Sequence, residues 1–502
     1  MKKKIISILL TVITAFTCMA MFSACGKKGK EGVLQIRYYN GGYGDEWLEK
    51  ALQDFCATKK GVTYELKPDN SITYEAGLYL KKNVPDIIMS NGNWKTYVKD
   101  ELVEDLTSVY ETEVKTSQGM IKIKDYIDEN VMKQFTRQMI YCRGESVTWG
   151  MPWASQVLSL AYNETILLST VHHEDNEIEV EGLSVGQKWT HEPYTVSELM
   201  AYLTDVRLAD NGITPWGYSP YNLNWYDALF YVWWAQIQGT MTPNKYPDEG
   251  CFYDFFNMMS ADLVKQSGYS DSLDIVRQIL VDKDGNLYNS DNNGGLTKEK
   301  MQENFAKGNI AVCLVGDFFE KEYKAFMKEG NVFKLMFVPI ADGAETKEDG
   351  SAKKLTYVQT DNVMYVPKNA VNKDLAKEFL AFLCSEEQLM QFSRYTGVVR
   401  PFKYNAYELD KNYAWTEFQK STFNIYYNAD DFVIKYPLTA SKVSPIYLDK
   451  QVSMFMGTPY EKVFAEFRTT PVENAASRIV RQVYDALKKD LGEWFSYYNI
   501  VE

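Results

Sequence analysis

Residues 33–55, VLQIRYYNGGYGDEWLEKALQDF, change backbone period within a single loop. Val33 to Tyr39 reads as a short strand and Asn40-Gly41-Gly42-Tyr43-Gly44 as a turn. Trp47, Leu48, Ala51, Leu52 and Phe55 then recur at helical spacing on one apolar face. A strand from Val62 to Leu66, a helical stretch to Lys82 and a buried strand at Asp86-Ile87-Ile88-Met89 continue the alternation. Strands alternating with helices predict an α/β fold class, with a mostly parallel sheet covered on both faces.

The same punctuation returns downstream. Thr195 with Glu198, and Ser385 with Gln388, have the spacing of capping boxes, and Gly397 suits a left-handed helix end. Asn474 opens a last long helix whose stripe runs through Ala476, Ile479, Val480, Val483, Leu487, Leu491 and Trp494. Such stripes predict core. The acidic residues 172–193 and the segment Ala341 to Lys354 read as surface insertions.

Lys2, Lys3 and Lys4 precede an apolar run from Ile5 to Phe22, which ends on Ser23-Ala24-Cys25. This order resembles a bacterial lipoprotein signal peptide, in which the cysteine thiol takes a lipid and becomes the first mature residue. Residues 1–25 are then the signal, Cys25 the lipidated position, and residues 26–32 a flexible tether. The expected location is the extracellular face of the cytoplasmic membrane. A plain membrane-spanning anchor competes with this reading, against the breaks at Thr11, Thr14 and Thr17.

The chain of 502 residues carries 54 Lys and Arg against 67 Asp and Glu, a net charge of −13, and loss of the three signal lysines takes it near −16. A body this acidic repels a phosphate backbone, so nucleic acid is excluded as a partner. Cys56, Cys142, Cys251, Cys313 and Cys384 are widely spaced and read as buried free thiols. His172, His173 and His191 are the sole imidazoles and lie in the acidic segment, which argues against a metal or a His-based catalytic centre. The glycines after Val33 to Tyr39 lack dinucleotide spacing and no phosphate-loop Lys follows; no cofactor is expected. Asp282-Lys283-Asp284-Gly285-Asn286 resembles the start of a calcium loop, but Asn293 stands where the closing Glu belongs, which favours a β-turn.

Six stretches carry a family likeness: Pro85-Asp86-Ile87-Ile88; GMPWASQVLSLAYNETIL from Gly150; YTVSELMAYLTDVRLADNGITPWGYSP from Tyr194; NFAKGNIAVCLVGDFF from Asn304; YVQTDNVMYVPKN from Tyr357; and AKEFLAFLCSEEQLMQFSRYTG from Ala376. In order and spacing they resemble the extracellular solute-binding proteins of bacterial ABC importers, in the carbohydrate-binding, maltose-binding-protein-like group. The resemblance covers about Val33 to Pro401. It implies a two-lobed periplasmic-binding-protein-like (type II) fold with a hinge and a ligand cleft between the lobes. Lobe one is expected at 33–150 plus 361–400 and lobe two at 151–360 plus 401–502. The implied partners are an oligosaccharide, the permease subunits of an ABC transporter, and the membrane through the lipid anchor, with the receptor itself a monomer.

A sugar offers an apolar face and a rim of hydroxyls, so its site needs flat aromatics and acceptor-rich side chains. The resemblance places first-lobe contacts in the loop with Asn91, Asn93 and Trp94, where a solvent-exposed turn is the competing reading. Trp153 sits at the crossover, and Gln156 and Asn93 align with acidic sugar contacts of the maltose-binding relatives. Asp317 and Phe318 stand where the family has Asp and Trp. Tyr221 and Trp225 belong to an aromatic run, Asp361 and Asn362 to the second crossover, and Tyr43 to the first glycine-rich loop. Trp153→Ala or Asp317→Ala is expected to weaken sugar binding with little loss of stability. Lys95 and Arg400 are the cations near these loops.

The resulting expectation is a lipid-anchored receptor that captures an oligosaccharide and delivers it to a permease for import, without catalysis. A receptor for a non-sugar ligand (peptide, polyamine or phosphorylated sugar) and a secreted glycan-processing enzyme are the alternatives. The enzyme would need two carboxylates set across one bond.

Overall fold

The structure is a computed structural model that describes residues 30–69, 84–91, 102–129, 131–132, 136–138, 146–219, 225–252, 265–280, 297–359 and 362–434, with Arg481 and Asp485. Cys25, Asn93, Trp94, Lys95, Cys142, Tyr221, Asp361 and the loop after Asp282 lie outside the described residues, as does nearly all of the last helix.

In chain order the strands that build the two main sheets are β1 (Val33–Tyr38), β2 (Thr63–Pro68), β3 (Ile87–Asn91), β4 (Met151–Pro152), β5 (Val157–Asn163), β6 (Thr214–Gly217), β7 (Ile310–Gly316), β8 (Phe333–Met336), β9 (Leu355–Val358), β10 (Asn362–Tyr365) and β11 (Asp431–Ile434). The helices that matter below are α1 (Glu46–Ala57), α2 (Val196–Leu208), α3 (Tyr226–Gln238), α4 (Ser267–Leu280), α5 (Lys298–Ala306), α6 (Phe319–Tyr323), α7 (Lys373–Phe382), α8 (Glu386–Thr396) and α9 (Glu417–Tyr427).

Sheet one runs β2-β1-β3-β10-β4, and sheet two β6-β7-β5-β9-β11 with β8 also on β5. The sheets are mixed, which corrects the mostly parallel expectation. β1 is parallel to β2 and β3, and β6 to β7, but β10 runs against β3 and β4, and β5 against β7, β8 and β9. The reversals fall on the strands by which the chain passes between sheets. One passage is Trp153 to Gln156, joining β4 to β5; the other follows β9 and enters β10.

All seven residues of β5 are buried, as are all seven of β7, because sheet two is covered on both faces. The two-residue period sorts them. Val157, Ala161, Cys313 and Val315 join a core that continues through sheet one, while Leu158, Leu160, Tyr162, Val312 and Leu314 face a second core under α2, α3 and α4. α1 buries Trp47, Leu48, Ala51, Leu52 and Phe55, the five residues of its apolar stripe. Trp216, Trp233 and Trp234 are core, with indole N–H groups donating to Tyr226 Oη, the Pro339 carbonyl and Gln266 Oε1.

The helix ends divide. Thr195 caps α2 with both bonds of a capping box, and Gly397 ends α8 in the left-handed region, its N–H donating to the Ser393 carbonyl. Ser385 makes no such cap on α8: its hydroxyl turns back to the Phe382 carbonyl, 3.0 Å away. The spacing was right, but the preceding α7 end competes for the same hydroxyl.

The 172–193 segment is more than a solvated insertion. Asp205 of α2, fully buried, accepts four hydrogen bonds from it: His172 Nδ1 at 3.0 Å, the His173 N–H at 3.0 Å, Asn176 Nδ2 at 2.6 Å and Trp189 Nε1 at 2.8 Å. Each carboxylate oxygen takes two donors, and Asn176 Nδ2 also donates to the Ala201 carbonyl at 2.8 Å, so the acidic segment is pinned to the helix chiefly through Asp205. Among the described residues no helix is long and apolar enough to cross a membrane, and no group of three His, Cys, Asp or Glu is placed to hold a metal. Cys251, Cys313 and Cys384 are buried free thiols and Cys56 a half-buried one.

Candidate functional site

Two loops meet where the sheets join. The first follows β1: Gly41 and Gly42 take φ of 63° and 86°, a left-handed conformation that L side chains rarely adopt, and this carries Tyr43 across toward the end of β7. A Cβ on Gly41 would come within 3.3 Å of Trp153, and one on Gly42 within 3.0 Å of Phe318. The turn is held by Asn40, whose Oδ1 accepts from the Gly44 N–H at 2.8 Å. The second loop is Asp317-Phe318, which follows the end of β7 at Gly316 and precedes α6.

The aromatics close into one cluster. Tyr43 stands edge-on to Trp153 (5.2 Å between ring centroids) and to Phe318 (5.4 Å); Trp47 stacks on Trp153; Trp225 meets Phe318 edge-on at 6.1 Å. Tyr43, Trp153, Asp317 and Phe318 are all buried, at 5% exposure or less. Trp225 is half-buried, and Lys298 Nζ sits 4.8 Å from its ring centroid.

Asp317 lies inside this cluster. Its Oδ1 accepts from the Tyr43 hydroxyl at 3.0 Å and its Oδ2 from the Val157 N–H at 3.0 Å, while its own N–H donates to the Val157 carbonyl. Burial pushes its carboxyl up to about 7, and the Val157 N–H and Tyr43 hydroxyl pull the other way without cancelling the loss of water. The Tyr43 phenol is pushed well above its ordinary range, first by burial and then by the Asp317 charge, so it is a neutral donor.

Gln156 and Asn362 mark the two passages between sheets. Asn362 Nδ2 donates to Gln156 Oε1 at 2.7 Å and the Gln359 N–H to the Gln156 carbonyl at 3.0 Å, so each passage is tied to the other. Gln156 holds φ of 42°, a strained position for a residue with a side chain. Asn362 is also in register with Asn91 at the end of β3.

The structure therefore brings Tyr43, Trp153, Asp317, Phe318 and Trp225 together, and pairs Gln156 with Asn362 beside them. Trp47 and Lys298 are members that spacing does not reveal, since the Trp47 position reads equally as part of a helix stripe. Arg400 is not a cleft cation: it is buried, with Nη1 donating to the Leu383 carbonyl and Nη2 to the Pro152 carbonyl, so it braces sheet one from behind. Trp153 is fully buried, so the expectation that Trp153→Ala would spare stability is corrected. Two cavities bounded by described residues lie elsewhere, one of about 780 Å³ between α2, α3 and α4 and one of about 600 Å³ beside α1 and α7.

A family model of bacterial extracellular solute-binding proteins matches residues 50–420. Several solved structures share the architecture. A chain from work on xylan utilization by Caldanaerobius polysaccharolyticus superposes with a TM-score of 0.60 at 14% identity, covering 90% of this chain and 100% of the other. RafE from Streptococcus pneumoniae in its apo form gives 0.58 at 14%, covering 92% and 100%. A sugar transporter protein from Bacillus licheniformis in complex with stachyose gives 0.54 at 13%, covering 90% and 100%. At these identities the likeness is one of fold, the two-lobed receptor fold. No curated protein sequence matches the chain.

Proposed function

Because the chain belongs to the bacterial extracellular solute-binding protein family, we propose that it is a lipid-anchored receptor that captures an oligosaccharide outside the cell and hands it to an ABC permease. Cys25 would carry the lipid, and residues 33–150 with 361–400 would form one lobe, 151–360 with 401–502 the other. The observation that carries the sugar reading is the pairing of flat aromatic rings with a buried carboxylate where the two sheets meet. Trp153, Phe318 and Trp225 supply faces for C–H groups, and Asp317 supplies Oδ1 as an acceptor for a hydroxyl, its Oδ2 being held by the Val157 N–H. Asn91, Asn93, Trp94, Tyr221 and Asp361 are proposed as further contacts around the same junction. The neighbours described with stachyose and with xylan utilization support this ligand class.

Import requires binding without turnover, so the ligand should be recovered intact. Opening would turn about the passages at Gln156 and Asn362, and ligand would shift the population toward the closed form. The test is thermal unfolding of a soluble form beginning at Gly26, scanned against oligosaccharides of different monomer and linkage, with polyamines, peptides and calcium in parallel. A ligand at about a hundred times its dissociation constant should add about 2.7 kcal/mol. Stabilisation by one glycan class supports the reading; stabilisation by a polyamine or peptide alone replaces the sugar, and shortened glycan products replace the receptor.

A further inference from the structure

Where the two sheets meet, the space between Trp153, Phe318 and Asp317 is filled by a side chain of the protein. Tyr43 comes from the β1–α1 loop of sheet one, yet its ring lies against Trp153 and Phe318, and its hydroxyl donates to Asp317 Oδ1. An aromatic ring bearing one hydroxyl meets here the groups a pyranose would ask for: two aromatic rings and a carboxylate acceptor. The flanking glycines Gly41, Gly42 and Gly44 all take positive φ, the backbone conformation that carries Tyr43 across the junction.

We propose that Tyr43 is a built-in stand-in for the ligand, a plug that holds the two lobes together in the empty receptor and must swing out before an oligosaccharide can take its place on Trp153, Phe318 and Asp317. The proposal rests on the receptor reading above and adds to it a regulation of the same site. Three consequences follow from the geometry. Removing Tyr43 frees Asp317 Oδ1, while Oδ2 stays on the Val157 N–H. The Lys321–Glu46 pair at 3.4 Å also crosses here, but Glu46 is exposed, so it adds little to the Tyr43–Asp317 bond. And the plug competes with ligand, so measured affinity is the intrinsic affinity reduced by the fraction of molecules in which Tyr43 is out.

This separates a plug from an ordinary contact by sign. The experiment compares the purified protein with Tyr43→Ala and Tyr43→Phe, using small-angle X-ray scattering without ligand and calorimetric titration with raffinose, stachyose, xylo-oligosaccharides and chito-oligosaccharides. If about one molecule in ten is unplugged, Tyr43→Ala should bind its glycan about tenfold more tightly. The empty Tyr43→Ala protein should also show a larger radius of gyration than the parent. Tyr43→Phe keeps the ring packing and loses only the Asp317 bond; it should shift both readouts the same way by less, and it decides the matter if the alanine variant does not fold. Affinity equal to or weaker than the parent's overturns the proposal, because Tyr43 would then be a ligand contact or plain core. If no protein binds any glycan, the oligosaccharide reading fails, and the scattering of the empty proteins still decides the plug: unchanged dimensions overturn it.

Discussion

Asp317→Asn should remove a pH dependence from the stability of this protein. The Asp317 carboxyl is buried and its pKa rises from an ordinary 3.8 to about 7. Between those values the folded chain keeps a proton that the unfolded chain has lost. Its folding is therefore favoured at low pH, stability falls as pH rises through the window, and the whole penalty is in place above about 7. Roughly three pKa units correspond to about 4 kcal/mol at full development, of which about 3 kcal/mol should appear between about pH 5 and about pH 8. Asparagine keeps the geometry: its carbonyl can accept from the Val157 N–H and its amide can donate to the Tyr43 hydroxyl, with no charge to bury. Tyr39 and Glu322, the other titratable groups nearest Tyr43, are common to both proteins and cancel in the comparison. The assay is urea unfolding of parent and variant at both pH values. The variant should gain on the parent as pH rises, by up to the figure above and by less if the lobes open to hydrate the carboxylate. An unchanged stability difference, or a gain for the parent at high pH, would refute the argument, since Asp317 would then be ionised and favourably paired in the folded state.

Other perturbations follow from the same contacts. Trp153→Ala should cost about 3–5 kcal/mol in urea unfolding, because the indole is fully buried between Trp47 and Tyr43; a loss under about 1 kcal/mol would mean the ring faces solvent. Thr195→Ala should lower stability by about 1 kcal/mol and Ser385→Ala by less than about 0.5 kcal/mol, since only the threonine closes a capping box; equal losses would contradict the two geometries. Asp205→Ala leaves four donors without their acceptor and should cost about 3 kcal/mol or more. It should also expose residues 172–193 to limited proteolysis, and a protease-resistant variant of normal stability would show that the carboxylate does not pin the segment.

Period and punctuation in the chain were enough for the local elements. The stripe of α1, the strand at Val33, the capping box at Thr195 and the glycine end of α8 depend on residues within a few positions of each other, where spacing and backbone preference are the controlling physics. Ser385 shows the limit of that reasoning. Its hydroxyl has two acceptable local partners, and the end of α7 decides which it takes. The antiparallel pairings of β5 and β10 were beyond reach for a related reason: strand direction depends on which edge a returning segment finds, and no local signal carries it.

For the candidate site, residue type was legible and arrangement was not. Aromatics, amides and a carboxylate at strand ends could be picked out one by one, since sugar chemistry restricts the useful side chains. That Tyr43 would lie on Asp317, 274 positions away, or that Gln156 and Asn362 would bond to each other, depends on contacts between distant segments. Arg400 makes the same point, as a charge that looks available in sequence and is consumed in bracing the carbonyls of Leu383 and Pro152. By itself the sequence determined the α/β alternation, the acidic charge balance, and the stock of groups able to hold a sugar, because these follow from composition and short-range periodicity. Only the tertiary structure decided which groups are buried, which are paired, and that Asp317 meets a phenol in place of water, because desolvation and hydrogen bonding act through space, between residues that the chain order leaves far apart.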